Sequence, residues 1–465
     1  METLARAANR GSVPTGYEID NSLKLERANS EYLSRTPSSN GNQQIFTFSS
    51  WVKFSHINSG VSEWSTLFSA GDLTSTGPSF RIGHHTNNSL QVSFYTNSAY
   101  TGYYRTDALH RDTAAWYHFV CAIDTTQGTN TNRVKIYVNG EQASTDSVVS
   151  HIAQNYDSGV NTGISHRIGH GVNMQTYASE YVSETHFVDG QALAPTDFGE
   201  FDEDSGIWKP KAYTGSYGTN GFYLDFADGA DLGDDESGNG NDWTENNITS
   251  ADQATDTPTN NFCTWNPLQN YDGKHLYRDG ATTFDLNTNS GSGNSALGSM
   301  AFTKGKWYAE FKPKDATTSY PYNVFIGAGV MDQVQLLSTG FIGGKANSTA
   351  QGAGYYNANG RIYRSGANVA WGDTYVGDDI ISVAFDYRSD GTAHMYVAKN
   401  GTWQNSSDPA NDTNPITLNG GSAFDDNTFI ALGASIYVHD VLTIECNFGG
   451  YTPSSISSGA SDANG

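Results

Sequence analysis

The sequence has few cysteines, no long apolar run and few basic residues. Its 465 residues include only three cysteines, Cys121, Cys263 and Cys446, which lie far apart in the chain. This spacing argues against a disulfide framework or a cysteine metal site, and Cys121 and Cys446 fall in apolar strand patterns, so we expect small buried side chains. No run approaches ~18 consecutive apolar residues, which argues against a membrane-spanning helix.

Basic residues are outnumbered by acidic ones. The chain has 25 Lys and Arg against 49 Asp and Glu, a formal net charge of −24. Nucleic acid and anionic membrane surfaces need clustered positive charge, so we expect neither as a partner. The start of the chain, Met1 to Arg6, does not resemble a secretory signal, which has a basic segment followed by an apolar core. We therefore expect synthesis in a cytoplasm and no membrane insertion.

Glycine is abundant, with 50 residues, and Asn, Ser, Thr and Tyr are frequent while helix formers are sparse. This composition predicts an all-β protein with many short strands joined by turns. One hairpin pattern occurs twice: an apolar strand ends at an Asp, a polar turn follows, and a Tyr-Val strand leads into Asn139-Gly140 or Asn400-Gly401. Asn-Gly favours the tight type I′ turn, and we interpret Asp124 and Asp386 as turn residues that bond the backbone. Two copies indicate two related β domains.

The first domain resembles a laminin-G-type, concanavalin A-like module. The resemblance rests on Phe48–Val52, Trp116–Val120, Ile136–Gly140 and Phe187–Leu193, which follow the order of the family. The second domain resembles a SPRY domain, which is also a concanavalin A-like β-sandwich. Its marks are Gly-Lys-Trp-Tyr, Gly-Asp-Asp-Ile, Lys-Asn-Gly and Asn-Phe-Gly, in that order between residues 300 and 450.

The resemblance implies two antiparallel jelly-roll-type sandwiches and an irregular Gly/Asp-rich connector. We predict an N-terminal arm over 1–16, the first sandwich over 17–199, a connector that packs on it over 200–299, and the second sandwich over 300–450. Residues 451–465 form a polar linker, after which we expect the natural chain to continue. The pairing of both modules with this connector resembles virion structural and tail-fibre proteins of tailed, particularly marine, bacteriophages.

Catalytic motifs are weak. The nearest match to the carboxylate pattern of sandwich glucanases is Glu200–Ser205, which ends in Ser and follows a turn-rich stretch, so a solvated loop is the better interpretation. No nucleophile elbow, P-loop or zinc-protease motif stands in a convincing context. The histidines of the first module lack a convergent metal spacing, and His118 fits a core position. We predict that the chain is not an enzyme.

Tyrosines among Gly, Ser and Asn are the best candidates for ligand contact. Aromatic rings stack on sugar faces, while Asn, Asp and Arg bond hydroxyls, and the same composition suits protein recognition or subunit interfaces. The candidate residues are Tyr95, Tyr100, Tyr103, Tyr104 and Arg105 in the first module and Tyr320, Tyr322, Tyr355, Tyr356, Trp371 and Tyr375 in the second.

An acidic, glycine-rich stretch of the connector is the candidate metal site. Ca²⁺ takes six to eight oxygen ligands from flexible loops, and laminin-G-type modules often carry a rim Ca²⁺. The candidate ligands are Asp225, Asp228, Asp234 and Asp235. Their spacing does not match an EF-hand, and a solvated turn-rich loop is the alternative. No cofactor is required, and Ca²⁺ is the ion that this pattern allows.

The leading functional hypothesis is a non-enzymatic virion component, a tail-fibre or receptor-binding adhesin that recognises a host-surface glycan or protein. The first alternative is a structural head or tail decoration that binds other phage structural proteins, and a weaker one is a polysaccharide-degrading enzyme. The resemblance to fibres implies a homo-oligomer, a trimer by analogy, located in the virion.

Overall fold

The computed structural model describes residues 16–57, 64–72, 74, 76–145, 148–172, 176–269, 275–286, 294–314, 323–331, 342–343, 352–364, 367–437 and 442–450. The chain divides into two units, Met1–Phe262 and Cys263–Gly465. Every pairing between the described strands of each sheet is antiparallel, and the predicted all-β fold of sandwiches is confirmed. Within the described residues, no helix has the length and apolarity needed to span a membrane.

In its described residues the first unit contains two eight-stranded sheets. In order across sheet 1 lie β10 (Glu141–Gln142), β9 (Val134–Val138), β8 (Trp116–Asp124), β3 (Ile45–Phe54), β13 (Glu180–Asp189), β1 (Ser22–Leu25) and β18 (Gln253–Ala254), and β16 (Phe222–Leu224) also pairs with β13. In order across sheet 2 lie β11 (Val148–Ser150), β7 (Ala99–Arg105), β6 (Leu90–Thr96), β5 (Ser79–His84), β4 (Ser65–Ala70), β12 (His166–Ile168), β2 (Tyr32–Arg35) and β17 (Thr244–Asn246). A separate ribbon pairs β14 (Gly199–Phe201) with β15 (Trp208–Pro210), and 3₁₀ turns cover Arg27–Asn29, Asn130–Asn132, Pro195–Asp197 and Ser250–Asp252.

The core of the first unit lies between these two sheets and is rich in phenylalanine. Phe48 of sheet 1 stacks on Phe68 of sheet 2 at 5.1 Å between ring centroids. Phe46 meets Phe80 edge to face at 5.4 Å. Cys121 is fully buried in the same core, as the sequence predicts. Aromatic pairs of this kind add to the free energy gained by burying apolar area.

Residues 200–262 cover the outer face of sheet 1 and extend its edges. Strand β16 pairs with β13, and β18 pairs with β1. Lys53 of sheet 1, which is fully buried, forms an ion pair with Asp256 at 2.6 Å. The Trp208 indole donates to Nδ1 of His118 at 3.0 Å, so His118 is a satisfied core residue, as predicted. This part of the predicted connector belongs structurally to the first unit.

The second unit contains sheets 3 and 4. In order across sheet 3 lie β19 (His275–Arg278), β20 (Thr283–Leu286), β32 (Leu442–Asn447), β22 (Gly305–Pro313), β27 (Ile381–Tyr387), β28 (Ala393–Lys399) and β29 (Thr402–Trp403), and β30 (Ile416–Thr417) also pairs with β28. In order across sheet 4 lie β21 (Asn294–Leu297), β31 (Ile430–Tyr437), β23 (Asn323–Val330), β24 (Gly352–Tyr356), β25 (Arg361–Arg364) and β26 (Ala367–Ala370). Two 3₁₀ turns cover Gln404–Ser406 and Leu418–Gly421.

The second unit begins earlier than the sequence analysis placed its boundary. Trp265 is fully buried in the core of this unit, and β19, β20 and β21 belong to its two sheets. Residues 263–299, assigned above to the connector, are therefore part of the second unit. The difference arises because these strands have only four residues each and stand among Gly, Asp and Asn, which are typical of loops.

The Asn-Gly turn of the repeated hairpin is confirmed in both units. Asn139 and Gly140 have φ of 49° and 85°, and Asn400 and Gly401 have φ of 48° and 79°, as a type I′ turn requires. The Asn139 side chain accepts the backbone N–H of His118, and the Asn400 side chain accepts that of Ile380, both at 2.8 Å. The Asn side chain therefore also bonds each hairpin turn to an adjacent segment of the same polypeptide. Asp124 accepts the backbone N–H of Thr126 as predicted, but the prediction for Asp386 is wrong, because it lies within β27 and accepts from the Arg388 side chain.

Candidate functional site

The outer face of sheet 2 carries a row of polar side chains. Phe80, Val92 and Tyr104 of this sheet belong to the core, so strand alternation turns their neighbours outward. The register places one outward residue of each strand in line across all eight strands. In sheet order this row is Ser150, Tyr103, Ser93, Arg81, Ser69, Arg167, Ser34 and Thr244.

An aromatic group lies at the β5–β7 end of this face, and we call it the tyrosine platform. It consists of Trp64, Tyr95, Tyr100 and Tyr103. Tyr95 and Tyr100 lie 4.6 Å apart between ring centroids, and Tyr100 meets Tyr103 edge to face at 5.4 Å. Tyr100 is 47% exposed, whereas Tyr95 is buried beneath it. The platform thus presents an exposed aromatic surface on a buried aromatic support.

Arg81 holds the platform together from below. Its guanidinium lies 3.8 Å from the centre of the Trp64 ring, a cation–π contact. Its Nη2 donates to the Tyr95 hydroxyl at 2.9 Å. Arg81 is almost fully buried, and this burial lowers the pKa of its guanidinium.

Arg105 lies beside the platform on β7 and is held by a histidine. Its Nη1 donates to Nε2 of His85 at 2.8 Å, and the His85 ring meets Trp64 edge to face at 4.6 Å. An imidazole that accepts a hydrogen bond at Nε2 is neutral. Burial and then the Arg105 charge lower the pKa of His85, which is consistent with this state. Among the described residues, no carboxylate pairs with Arg105.

A second arginine cluster lies on the same face at β12. The Arg167 guanidinium lies 4.8 Å from the centre of the Tyr32 ring, and its Nη1 donates to Nδ1 of His170. His170 in turn stacks on Tyr177 at 3.9 Å. As with Arg105, the partners of this cation are neutral rings.

Four of the five predicted first-unit residues come together at this face: Tyr95, Tyr100, Tyr103 and Arg105. The prediction for Tyr104 is wrong, because its ring is 2% exposed in the core. Its hydroxyl accepts the backbone N–H of Ile152 at 3.0 Å, so it fixes β11 and the segment after it. Strand alternation places Tyr103 on the outer face and Tyr104 in the core, a distinction that amino-acid composition does not reveal.

The predicted residues of the second unit separate into core and surface. Tyr355 and Tyr375 are fully buried, and the Tyr375 hydroxyl lies 2.9 Å from the Val324 carbonyl and 2.8 Å from that of Tyr355, so they are not accessible to a ligand. Tyr356 and Trp371 are half-buried, and Trp371 packs against the core. Tyr320 and Tyr322 lie outside the described residues.

Tyr356 belongs to an aromatic group on the outer face of sheet 4. Its ring stacks on Phe325 at 4.5 Å and meets Tyr363 edge to face at 5.5 Å. The chain itself covers the neighbouring part of this face, because Ile342 is fully buried and donates its backbone N–H to Ser435 at 2.8 Å. A Cβ on Gly354 would lie 2.4 Å from the Ile342 carbonyl. The Tyr356 group therefore lies beside a part of sheet 4 that another segment of the chain occupies.

Three of the four predicted metal ligands accept hydrogen bonds from backbone amides at their carboxylates. Asp235 is buried and accepts the N–H groups of Tyr223, Ser237 and Asn241. Asp225 and Asp228 each accept the N–H two residues further on, as in an Asx turn. Asp234 is exposed. Among the described residues, no three His, Cys, Asp or Glu side chains are grouped so as to hold a metal ion.

The candidate glycosidase carboxylates lie on the β14–β15 ribbon. Glu200 pairs with Lys209 at 3.2 Å. Asp202 accepts the hydroxyl and the backbone N–H of Ser205, and these bonds lower its pKa to about 2. A general acid needs a raised pKa, so the Asp202 environment does not suit that role.

The sequence analysis did not select Arg81, Trp64 or His85, although they hold the platform in place. A usable signal was present in Arg81-Ile82-Gly83-His84-His85. In a strand whose Ile is buried, the Arg before it points to the opposite face, and an outward Arg beside outward tyrosines indicates a polar surface. Trp64 follows residues outside the described part of the chain, and nothing in its local sequence points to this contact.

One comparison matches part of the chain to a family. Residues 27–186 match the model described as the concanavalin A-like lectin/glucanases superfamily, a laminin G model. The matched residues lie within the first unit, where the sequence resembles a laminin-G-type module. A search of curated proteins finds no match.

Solved structures are similar at low identity. A SAP-like pentraxin from Limulus polyphemus is 15% identical, covers 38% of this chain and 78% of its own, and has a TM-score of 0.28. A human SPRY domain is 15% identical, covers 37% of this chain and 94% of its own, and has a TM-score of 0.26. Domains LG4–5 of the mouse laminin α1 chain are 9% identical, cover 97% of this chain and 87% of their own, and have a TM-score of 0.30.

Proposed function

We propose that the chain is a non-enzymatic binding protein that recognises a saccharide at the outer face of sheet 2. The observation that carries this proposal is the tyrosine platform, in which exposed Tyr100 and half-buried Tyr103 rest on buried Tyr95. Tyr95 is bonded to buried Arg81, which in turn lies over half-buried Trp64. Rigid aromatic rings offer contact area at a low cost in conformational entropy. The matched family is described as lectins and glucanases, which supports a carbohydrate ligand.

The chain serves, in this proposal, as a tail-fibre or receptor-binding adhesin in the virion of a tailed bacteriophage, with host-surface glycan as ligand. The support is the order of a laminin-G-type module, an Asp/Gly-rich stretch and a SPRY-like module, which resembles such proteins. Other virion proteins are its structural partners, and it assembles as a homo-oligomer. The acidic surface of the chain suits a particle protein that must not associate nonspecifically.

A glycan array probed with the full chain tests the binding function. We expect specific saccharide binding that falls about tenfold or more in Tyr103→Ala, because the removed ring is a central contact. Tyr308→Ala is the matched control, since Tyr308 is 39% exposed on sheet 3 of the other unit. Absence of binding to every saccharide, or an equal loss in Tyr308→Ala, would contradict the proposal.

The location in the particle is tested separately. Antibody labelling of intact phage particles in electron microscopy should place the protein on the tail fibres, and the full chain should compete with particles for adsorption to host cells. Labelling of the head without competition would instead support the decoration role. Release of reducing sugar that disappears in Asp202→Asn would support the enzyme.

A further inference from the structure

The outer face of sheet 2 has a charge balance opposite to that of the chain. The chain has 49 acidic and 25 basic residues. The outward positions of the strands of sheet 2 nevertheless include Arg81, Arg105 and Arg167, and none of them is an Asp or Glu. Glu245 of β17 pairs with core residue Leu33, so it points to the other face. In so acidic a chain, the outward positions of these described strands carry arginines and no carboxylate.

Arg105 and Arg167 are both positioned without a carboxylate partner among the described residues. Each donates one guanidinium N–H to a histidine, Arg105 to His85 and Arg167 to His170. Both side chains are half-buried, so they are partly removed from water. Guanidinium groups carry five N–H donors in a planar fork, and these contacts leave donors available.

Such an arrangement favours an anionic ligand. A partly desolvated cation held by neutral groups gains most from an anion that arrives with the ligand, and a carboxylate or sulfate matches the guanidinium fork with two parallel hydrogen bonds. Arg105 lies beside Tyr103, two residues away on the same face of β7. An anionic group on Arg105 therefore places the attached ring over the tyrosine platform.

We propose that the outer face of sheet 2 selects acidic saccharides, with the sugar carboxylate or sulfate on Arg105 and the sugar ring on Tyr100 and Tyr103. This inference rests on the proposed saccharide-binding function and names the ligand class of that site. Arg167 lies four strands from β7, about 19 Å away at the usual strand spacing, so a longer acidic oligosaccharide reaches both arginines.

The test uses the full chain on an array of neutral, carboxylated and sulfated oligosaccharides. We expect the acidic members to bind, and methyl esterification of a bound uronic acid oligomer to weaken binding about tenfold or more, since the charge-assisted bond is lost. Raising sodium chloride should weaken binding to the acid but not to a neutral saccharide. The carboxylated and sulfated arms distinguish the two anions.

Variants of Arg105 test whether the preference for acidic saccharides arises at the outer face of sheet 2. Arg105→Gln should weaken acidic-saccharide binding about 10- to 100-fold, and Arg105→Lys should lose less because the charge remains. Arg388→Gln is the matched control, because Arg388 is paired with Asp386 and Asp412 in the other unit. Equal affinity of acid and methyl ester, or equal binding by Arg105→Gln and wild type, would overturn the inference and leave saccharide binding standing. Binding to no saccharide at all would overturn both.

Discussion

The two units treat their charges differently. At sheet 3 of the second unit two arginines have carboxylate partners: Arg278 pairs with Asp285, and Arg388, which follows β27, pairs with Asp386 and Asp412. On the outer face of sheet 2, Arg105 and Arg167 contact histidines and aromatic rings instead. A cation whose partner is in the chain has little to gain from a ligand. This contrast supports the proposal that the outer face of sheet 2 takes the ligand.

The first unit also buries ions that the second keeps near solvent. Lys53 and Asp256 are at most 1% exposed, and Lys24 pairs with Asp252 in a similar position. In the second unit Asp378, the partner of Lys312, is 68% exposed. The buried pairs tie residues 252–256 to sheet 1, so they support the fold of the unit that carries the site.

The largest expected loss of stability follows from breaking one of these buried ion pairs. Asp256→Asn leaves Lys53 as a buried charge without its partner, and we expect the first unit to lose about 3–5 kcal/mol of unfolding free energy. Chemical denaturation of the full chain, followed by a probe in each unit, measures this loss. Asp378→Asn is the matched variant and should leave the second transition unchanged. Similar losses in both variants would remove the contrast between the units.

A smaller effect is expected from pH. Burial lowers the pKa of His118 to about 3, so the folded state keeps it neutral while the unfolded state protonates near pH 6.5. Because the unfolded state then binds more protons, this histidine's contribution to stability is lost as pH falls from 6.5 towards 3. Between pH 7 and 5 the wild type should lose about 2 kcal/mol more than His118→Gln.

The control for this experiment is Glu180, a buried group whose pKa is raised rather than lowered. Burial raises the pKa of Glu180 to about 8, so Glu180→Gln should remove a term that favours folding as pH falls. Urea titrations of wild type and both variants at pH 5 and 7 separate the two contributions. A slope with pH that is identical in wild type and His118→Gln would contradict the burial argument.

Adjacent tyrosines on β7 give the next comparison. Tyr104→Phe leaves the buried N–H of Ile152 without its acceptor, so the first unit should lose about 1–2 kcal/mol while saccharide affinity is unchanged. Tyr103→Ala should do the reverse, with lower affinity and little change in stability. Thermal unfolding measures the stability of both variants, and saccharide titration measures their affinity. An equal loss of affinity in both variants would contradict the assignment of Tyr103 to the surface and Tyr104 to the core.

The smallest effect is expected at the surface of the second unit. Arg388→Gln removes a half-exposed ion pair with Asp412 and should change stability by less than about 1 kcal/mol. Calorimetry of the full chain detects such a change as a small shift of the second transition. A loss as large as that of Asp256→Asn would show that the exposed pairs also hold the fold.

The sequence predicted those parts of the fold that are determined by the residue types at a single turn or strand. Asn139-Gly140 and Asn400-Gly401 identify their turns because the required φ angles suit these residue types. The boundary near residue 263 was missed because four-residue strands such as β19 gain their stability from sheet neighbours distant in sequence.

The candidate site shows the same limit. Tyr100 and Tyr103 were found from composition, but Tyr355 and Tyr375 have similar surroundings in sequence and are core residues. Arg81 and Trp64 come together only through the pairing of β4 and β5, and their contact has no local signal. The absence of carboxylates from the outward positions of the described strands becomes visible only when the eight strands are placed side by side.

The most direct test is the structure of the full chain in complex with an acidic oligosaccharide selected on the array. Our account predicts that the acidic group lies within hydrogen-bonding distance of Arg105 and that the sugar ring lies on Tyr100 and Tyr103. A saccharide on sheet 4 at Tyr356 and Arg361, or on the charge-paired face of sheet 3, would contradict it.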